Sequence, residues 1–165
     1  MKATEIIQQL QLLPHPEGGF YKEVYRSKET IAQGALPAAF TGDRSFSTSI
    51  YYLLQQGDYS GFHRIKSDEL WHFYAGGTLL VHCLSKETGY RILRLGSHLS
   101  EGDSFQAVVP AGVWFASEPA SGTDFALAGC TVSPGFDFND FEMAKREDLL
   151  EEFPQHAAII NRLCR

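Results

Sequence analysis

The sequence predicts a mainly β fold in which antiparallel strands form a sandwich or barrel, with helices at both ends of the strand-rich region. Two observations lead to this expectation. Between about residues 20 and 132, short apolar runs alternate with turns rich in Gly, Pro, Asp and Ser. Before and after this region, the apolar residues recur with helical spacing.

The N-terminal segment, residues 1–19, is expected to form one short helix and a loop. Apolar residues at positions 6, 7, 10 and 13 have helical spacing, and Thr4 is a candidate cap for the first turn. Pro14 is expected to end this helix because proline cannot donate a backbone hydrogen bond. The loop that follows is rich in Pro and Gly.

Nine strands are expected in the barrel region, residues 20–132. They span residues 20–26, 46–54, 62–65, 69–74, 78–84, 90–95, 105–109, 113–117 and 125–132. Residues 133–165 are expected to form a helical tail, with Asp140 as a cap, a break at Pro154 and a last helix that ends near Leu163. Since no repeat or linker divides the sequence, residues 1–165 are interpreted as one domain.

Composition limits the partners that the chain is expected to have. The net charge is −6, and the longest basic cluster is the pair Lys145-Arg146, which disfavours binding of a nucleic-acid polymer. Three separated cysteines without CxxC spacing are typical of reduced thiols. The N-terminus lacks the pattern of a signal peptide and no apolar run reaches 18 residues, so a cytoplasmic protein without membrane association is expected.

Two stretches contain a spaced pattern of Gly, His, Glu and Pro. The first consists of Gly57, His63, Glu69 and Gly76, separated by five, five and six residues. The second contains Gly102 and, further on, Pro110-Ala111-Gly112. These stretches resemble the two signatures of the cupin superfamily. The resemblance implies a jelly-roll, double-stranded β-barrel with a short N-terminal helix and C-terminal helices.

The flanking sequence narrows this resemblance. Residues 14–19 read ProHisProGluGlyGly, and they combine with residues 49–54, 69–72 and 134–138 into a pattern that covers nearly the whole chain. This pattern is similar to an RmlC-like branch of cupins formerly described as a domain of unknown function. Membership of that branch implies a fold and a pocket, but it implies no particular reaction.

The metal-binding pattern of cupins is incomplete in this sequence. The resemblance implies three His and one Glu as ligands, of which His63 and Glu69 are present. Ile65 and Phe115 occupy the other two positions and cannot bind a metal ion. Strand alternation places His72 on the face opposite Glu69. No cofactor is therefore expected, although a divalent metal weakly bound by His63 and Glu69 remains an alternative.

His63 and Glu69 are interpreted as a catalytic pair on the polar floor of an aromatic pocket. The alternative is a buried hydrogen-bonded pair that remains from an ancestral metal site. Other candidates for ligand binding each have a structural alternative, as core, turn or surface residues. They are His15, Glu17, Tyr21, Arg26, Tyr52, Trp71, Trp114 and Phe115.

The expected roles of these candidates differ. Trp114 and Phe115 are expected to line the pocket with aromatic faces that suit a sugar or a base. The loop that contains His15 and Glu17 is expected either to close the mouth of the barrel or to be a solvated turn. Arg26 and Arg64 are candidate partners for a phosphate or carboxylate, with surface charges as the alternative.

Three functions are compatible with the sequence. The first is a metal-independent isomerase or epimerase of a sugar or nucleotide-sugar, by analogy with the nucleotide-sugar 3,5-epimerases of the same superfamily. In this hypothesis His63 takes a proton next to a carbonyl, Glu69 orients His63, and Tyr21 or Tyr52 returns a proton. The second is a non-catalytic protein that senses or stores a small ligand, and the third is a metal-dependent enzyme with a reduced ligand set.

The sequence also predicts self-association. The long apolar strand at residues 46–54 would be prone to aggregation if it were an uncovered edge. A homodimer or a multiple of dimers is therefore expected.

Overall fold

The structure is a computed structural model and describes residues 2–165, in which thirteen strands and three α-helices are present. The strands are β1 (Leu13–Pro14), β2 (Phe20–Arg26), β3 (Thr30–Ile31), β4 (Arg44–Ser45), β5 (Thr48–Gln55), β6 (Ser60–Arg64), β7 (Asp68–Gly76), β8 (Leu79–Ser85), β9 (Gly89–Leu95), β10 (Gln106–Val109), β11 (Trp114–Pro119), β12 (Phe125–Ser133) and β13 (Glu142–Met143). The helices are α1 (Ala3–Leu10), α2 (Arg146–Glu152) and α3 (Ala157–Leu163). The mainly β class predicted from the sequence is confirmed.

Two antiparallel sheets form the barrel. One has the strand order β1-β2-β5-β12-β7-β10 and the other has the order β13-β6-β11-β8-β9, while β3 and β4 pair separately. The main buried cluster takes side chains from strands of both sheets, including Tyr52, Trp71, Val81, Phe115 and Ala128. Burying one face of each sheet against the other is the jelly-roll solution to covering apolar sheet surface.

Each of the nine predicted strands corresponds to an observed one, and the ends differ by no more than two residues. The strands that the sequence did not predict are β1, β3, β4 and β13, which have two residues each. Such short strands show no alternation of apolar and polar residues, so sequence periodicity cannot detect them.

The first helix begins and ends earlier than predicted. Its N-cap is Lys2 rather than Thr4, and the backbone N–H of Lys2 donates to Glu5 Oε2 at 2.9 Å. The helix ends at Leu10 because Gln11 adopts a left-handed conformation with φ of 56°. Ile6 packs in a cluster with Leu53, whose neighbours along β5 belong to the main core. The helix therefore covers the outer face of the six-stranded sheet.

The predicted cap at Asp140 is wrong. Helix α2 begins at Arg146 with Lys145 as its cap residue, whereas Asp140 is buried and binds Arg44. Arg44 donates from Nε and Nη2 to the two carboxylate oxygens of Asp140, each at 2.7 Å. This pair fixes the segment after β12 against β4. The last helix ends at Leu163, as predicted.

The structure removes one reason for expecting a dimer. Strand β5 is paired with β2 on one side and with β12 on the other, so it is not an edge strand. The edge strands of the larger sheet are β1 and β10.

Within residues 2–165, no helix has the length and apolar character that crossing a bilayer requires.

Candidate active site

A cavity of about 350 Å³ opens between the two sheets at one end of the barrel. Strands of both sheets line it, together with the loop of residues 15–19 and the segment that follows β12. The acidic and basic side chains in its lining are His15, Glu17, Glu23, Arg26, His63, Glu69 and Asp137. The cavity combines these groups with apolar walls, an arrangement typical of sites for small molecules.

His63 and Glu69 reach the cavity from different sheets. His63 lies on β6 of the five-stranded sheet, and Glu69 lies on β7 of the six-stranded sheet, opposite Val132 of β12. Both side chains are buried. The structure thus brings the two predicted residues into one cavity, but the ion-pair partner of His63 is Glu17.

Glu17 favours the protonated form of His63. His63 Nδ1 lies 2.7 Å from the carbonyl oxygen of Gly61, which can only accept, so Nδ1 carries a proton. Nε2 lies 3.0 Å from Glu17 Oε2, in an ionic contact with a buried carboxylate. Burial alone would lower the pKa of His63, but the charge and close contact of Glu17 and the hydrogen bond to Gly61 outweigh burial and raise it.

The same contact acts on Glu17 in the opposite direction. Burial alone would raise the pKa of the Glu17 carboxyl group, but the neighbouring His63 cation outweighs burial and lowers it. The two side chains therefore form a buried imidazolium–carboxylate pair.

The loop of residues 15–19 positions Glu17 through backbone contacts. The N–H of Gly61 donates to the carbonyl of Glu17 at 2.9 Å, which attaches the loop to β6. Gly18 has φ of +114°, and a Cβ atom there would collide with the carbonyl oxygen of Tyr59. Tyr52 donates its hydroxyl to the carbonyl of Gly18 at 2.7 Å. Of the two alternatives for this loop, the structure therefore shows the one in which it closes part of the barrel mouth.

His15 is held as a neutral side chain beside this pair. Its Nδ1 accepts a hydrogen bond from the backbone N–H of Glu17 at 3.2 Å, and its ring packs edge-on against Tyr21. Burial lowers the pKa of His15, and the positive charge of His63 lowers it further, against the opposing effect of Glu17. A neutral imidazole whose Nδ1 accepts carries its proton on Nε2, so His15 is a hydrogen-bond donor.

The carboxyl group of Glu69 has a raised pKa. Burial raises the pKa of its carboxyl group from 4.5 to about 7, and the negative charge of Glu17 acts in the same direction. The positive charge of His63 and a hydrogen bond with the Cys130 thiol oppose this shift only in part. Two carboxyl groups in one cavity thus have pKa values shifted in opposite directions, an arrangement typical of acid–base catalysis.

The predicted aromatic lining lies elsewhere in the structure. Trp71 is buried in the core, edge-on to Tyr52, with ring centroids 5.8 Å apart. Trp114 packs on the outer side of the five-stranded sheet, against the C-terminal helices and beneath Arg64. Phe115 lies under His63, with centroids 4.1 Å apart. None of these four side chains lines the cavity. Those of Trp71, Tyr52 and Phe115 lie behind the site, and that of Trp114 lies outside it.

Three phenylalanines that were not among the predicted site residues line the cavity instead. Phe136, Phe138 and Phe141 follow β12 and pack edge to face on one another, with centroids 5.0–6.3 Å apart. The available sequence signal was three Phe within six residues, directly after Pro134-Gly135 and outside the alternating strand pattern. We call these three side chains the phenylalanine wall.

The predicted arginines are already paired. Arg26 lies at the cavity entrance and binds both carboxylate oxygens of Glu23, at 2.9 and 2.7 Å, and the carbonyl of Phe136. Arg64 binds Glu142 and stacks on Trp114 outside the cavity. A phosphate bound at either arginine would therefore have to share the guanidinium group with a carboxylate.

The donor atoms present do not fit a cupin metal centre. Ile65 lines the cavity and Phe115 lies against His63, so two ligand positions are apolar. His72 Nε2 lies 3.1 Å from Thr131 Oγ1, and this side chain is not part of the cavity lining. In the part of the chain that the structure describes, no three His, Cys, Asp or Glu side chains are arranged to hold a metal ion. His63 and Glu69 would be the donors for a weakly bound ion.

The two-sheet barrel and its cavity define a cupin-type protein. The model of the family described as "Cupin superfamily (DUF985)" matches residues 4–144, and the chain belongs to this family. The resemblance found in the sequence is therefore confirmed.

Proteins similar to this chain come from distant organisms. Uncharacterized protein YML079W of Saccharomyces cerevisiae is 30% identical over 164 residues, covering 93% of this chain and 82% of that protein. A hypothetical protein from Leishmania major has a structure with a TM-score of 0.89 and 35% identity, covering 99% of both chains. Protein SO0799 from Shewanella oneidensis has a TM-score of 0.88 and 40% identity, covering 100% of this chain and 98% of that chain.

A more remote structural neighbour shows the fold alone. Oxalate decarboxylase from Bacillus subtilis has a TM-score of 0.55 and 16% identity, and the match covers 91% of this chain and 36% of that one. At this identity, the similarity supports the barrel and carries no reaction to this chain.

Proposed function

We propose that this protein is a metal-independent isomerase or epimerase that moves a carbon-bound proton next to a carbonyl group of a small, sugar-like molecule. The observation that carries the proposal is the presence, in one cavity, of Glu69 with a pKa of about 7 and the protonated His63. A group that titrates near neutral pH can both take and return a proton.

The structure favours roles that differ from those expected from the sequence. The contact with Glu17 favours protonated His63, so His63 is suited to stabilise the negative oxygen that forms when a proton leaves the neighbouring carbon. Glu69 is suited to take that proton when it is ionised. In this scheme the carbon–hydrogen bond breaks, its electrons move to the carbonyl oxygen, and the proton moves to the Glu69 carboxylate.

A second proton donor would complete an epimerisation by protonating the carbon from the opposite side. Tyr21 lines the cavity, whereas the Tyr52 hydroxyl is committed to Gly18, so Tyr21 is the better candidate of the two. The Nε2 proton of His15 offers another donor for the substrate oxygen. Because Arg26 and Arg64 are paired, the structure favours a sugar without phosphate over a nucleotide-sugar.

Proton exchange tests this proposal. In heavy water, the wild-type protein is expected to exchange carbon-bound protons of unphosphorylated keto-sugars or amino-keto-sugars, as measured by NMR and mass spectrometry, and to do so after chelator treatment. Exchange is expected to be lost in Glu69→Gln and in His63→Gln. The matched control, His72→Gln, removes a histidine outside the cavity and is expected to retain exchange.

Three results would contradict the proposal. Equal exchange by the wild type and Glu69→Gln would remove Glu69 as the base. Absence of exchange with every substrate, together with saturable ligand binding, would favour the non-catalytic binding protein. Loss of exchange on chelation, restored by a metal ion, would favour the metal-dependent enzyme.

We also propose that the protein is a homodimer or a multiple of dimers. In support, β10 forms a sheet edge, and Leu70 and Val108 lie opposite each other as exposed apolar side chains on the outer face of β7 and β10. Light scattering coupled to size-exclusion chromatography is expected to give at least twice the mass of one chain, and a monomeric mass would contradict this proposal.

A further inference from the structure

We infer that the cavity binds a small ligand carrying an organic cation, such as an ammonium group, in preference to a neutral ligand of the same shape or a phosphorylated one. The inference deepens the proposed function by naming the charge of the ligand. It rests on that function only in taking the same cavity as the binding site.

The first support is the charge balance of the cavity. His63 and Arg26 are each matched by one carboxylate, Glu17 and Glu23 respectively. Asp137 and Glu69 remain as acidic groups without such a match. Since burial favours neutral His15, Asp137 already makes the lining negative overall, and an ionised Glu69 adds a second negative charge.

The second support is the position of Glu69. Its side chain is only 8% exposed, yet it lines the cavity, and its nearest cation, His63, is already bound to Glu17. A buried carboxylate without its own cation is costly. A ligand ammonium group would supply the missing positive charge, whereas a phosphate would add to the negative charge.

The third support is the phenylalanine wall. A cation within about 6 Å of an aromatic ring is attracted to the electron-rich face of the ring. One ring of the wall already lies beside a side chain that can carry a positive charge: the centroid of Phe141 is 5.3 Å from that of the His63 imidazole. Phe136 and Phe138 extend this aromatic surface towards solvent, on either side of Asp137. An aromatic surface beside carboxylates is the chemistry that binds ammonium groups.

A phosphorylated ligand would meet the opposite conditions. Arg26 already donates from Nε and Nη2 to Glu23 and to the carbonyl of Phe136, so a phosphate would either displace these contacts or share the guanidinium group with the Glu23 carboxylate. The phosphate would then lie near Glu23 and Asp137, two carboxylates at the same entrance. Repulsion between these like charges disfavours phosphate.

A pair of probes with the same shape isolates the effect of charge. Choline carries a quaternary ammonium group, and 3,3-dimethylbutan-1-ol has the same shape without charge. By calorimetric or NMR titration of the full-length protein at about pH 8, where Glu69 is mostly ionised, choline is expected to bind about threefold to thirtyfold more tightly than the alcohol. Inorganic phosphate is expected to compete with neither probe.

A variant of the wall tests the aromatic contribution. Phe138 is 56% exposed, so Phe138→Leu is expected to fold normally and to weaken choline binding at least about threefold, with little effect on the alcohol. The control is Phe105→Leu, which changes a similarly exposed ring outside the cavity and is expected to change neither affinity.

Some outcomes would overturn the inference. These are equal or tighter binding of the alcohol, absence of choline binding, displacement of choline by phosphate, or equal loss of affinity for both probes in Phe138→Leu. Proton exchange on a neutral keto-sugar without preference for choline would overturn this inference and leave the proposed isomerase intact. Choline binding without proton exchange on any substrate would contradict the proposed isomerase and leave this inference intact.

Discussion

Replacing Asp140 with asparagine is expected to lower the free energy of unfolding by about 3–5 kcal/mol. Arg44 and Asp140 form two hydrogen bonds of 2.7 Å, and both side chains are only 4% exposed. Asparagine can accept only one of these bonds and leaves the guanidinium group as an uncompensated buried charge. Denaturant unfolding measured at neutral pH would give the change directly.

Two controls separate this charge effect from general disruption. The double variant Arg44→Met with Asp140→Leu removes both charges and is expected to be more stable than Asp140→Asn. Glu142→Gln removes one partner of the exposed pair with Arg64 and is expected to cost less than about 1 kcal/mol. A cost for Asp140→Asn no greater than that of Glu142→Gln would contradict the prediction.

The ion pair also connects stability to the site. Asp140 lies between Phe138 and Phe141 in the sequence, so the contact with Arg44 holds the segment that forms the phenylalanine wall. Weakening it is expected to loosen the wall before the barrel unfolds, since local openings cost less than global unfolding. The buried ion pair therefore lies in the same short segment as Phe138, the most exposed ring of the phenylalanine wall.

The strands were predictable because alternation of side chains is a local property. Along β7, Glu69 and Trp71 are buried while Leu70 between them is exposed, as the period of two requires. The same period shows why one prediction was wrong. Trp114 and Phe115 are neighbours on one strand, so only one of them can face the interior, and in the structure that residue is Phe115.

The partner of His63 could not be predicted in the same way. Glu17 lies 46 positions away in a loop, and a backbone hydrogen bond to Gly61 of β6 brings it to His63. The periodicity of apolar residues in a sequence cannot indicate a contact that depends on the geometry of a loop. The resemblance placed Glu69 near His63 correctly, but the difference between a carboxyl group paired with a cation and one left without it depends on distances that sequence does not contain.

Replacing Glu69 with glutamine is expected to stabilise the protein above pH 7 while removing activity. The carboxyl group has an ordinary pKa of 4.5, and burial raises it to about 7 in the folded protein. As pH rises, the unfolded state therefore loses this proton first, and stability falls between about pH 4.5 and 7. A shift of this size corresponds to roughly 3 kcal/mol, and this cost is complete above pH 7. Glutamine does not titrate, so the variant lacks this decrease in stability.

The matched control is the same substitution at the other buried carboxylate of the cavity. The pKa of Glu17 is lowered by His63, so its ionised form stabilises the fold, and Glu17→Gln is expected to destabilise it at pH 7 by leaving His63 unpaired. Unfolding measured from pH 4 to 9 should thus give effects of opposite sign for two Glu→Gln changes in one cavity.

Both variants are expected to slow proton exchange, by about 10²–10⁴-fold for Glu69→Gln. If Glu69→Gln were instead less stable than the wild type above pH 7, Glu69 would already have a compensating partner, and the case for it as the exchanging base would fail. A substitution that removes activity and stabilises the protein is expected at a residue that serves function and lowers the stability of the fold.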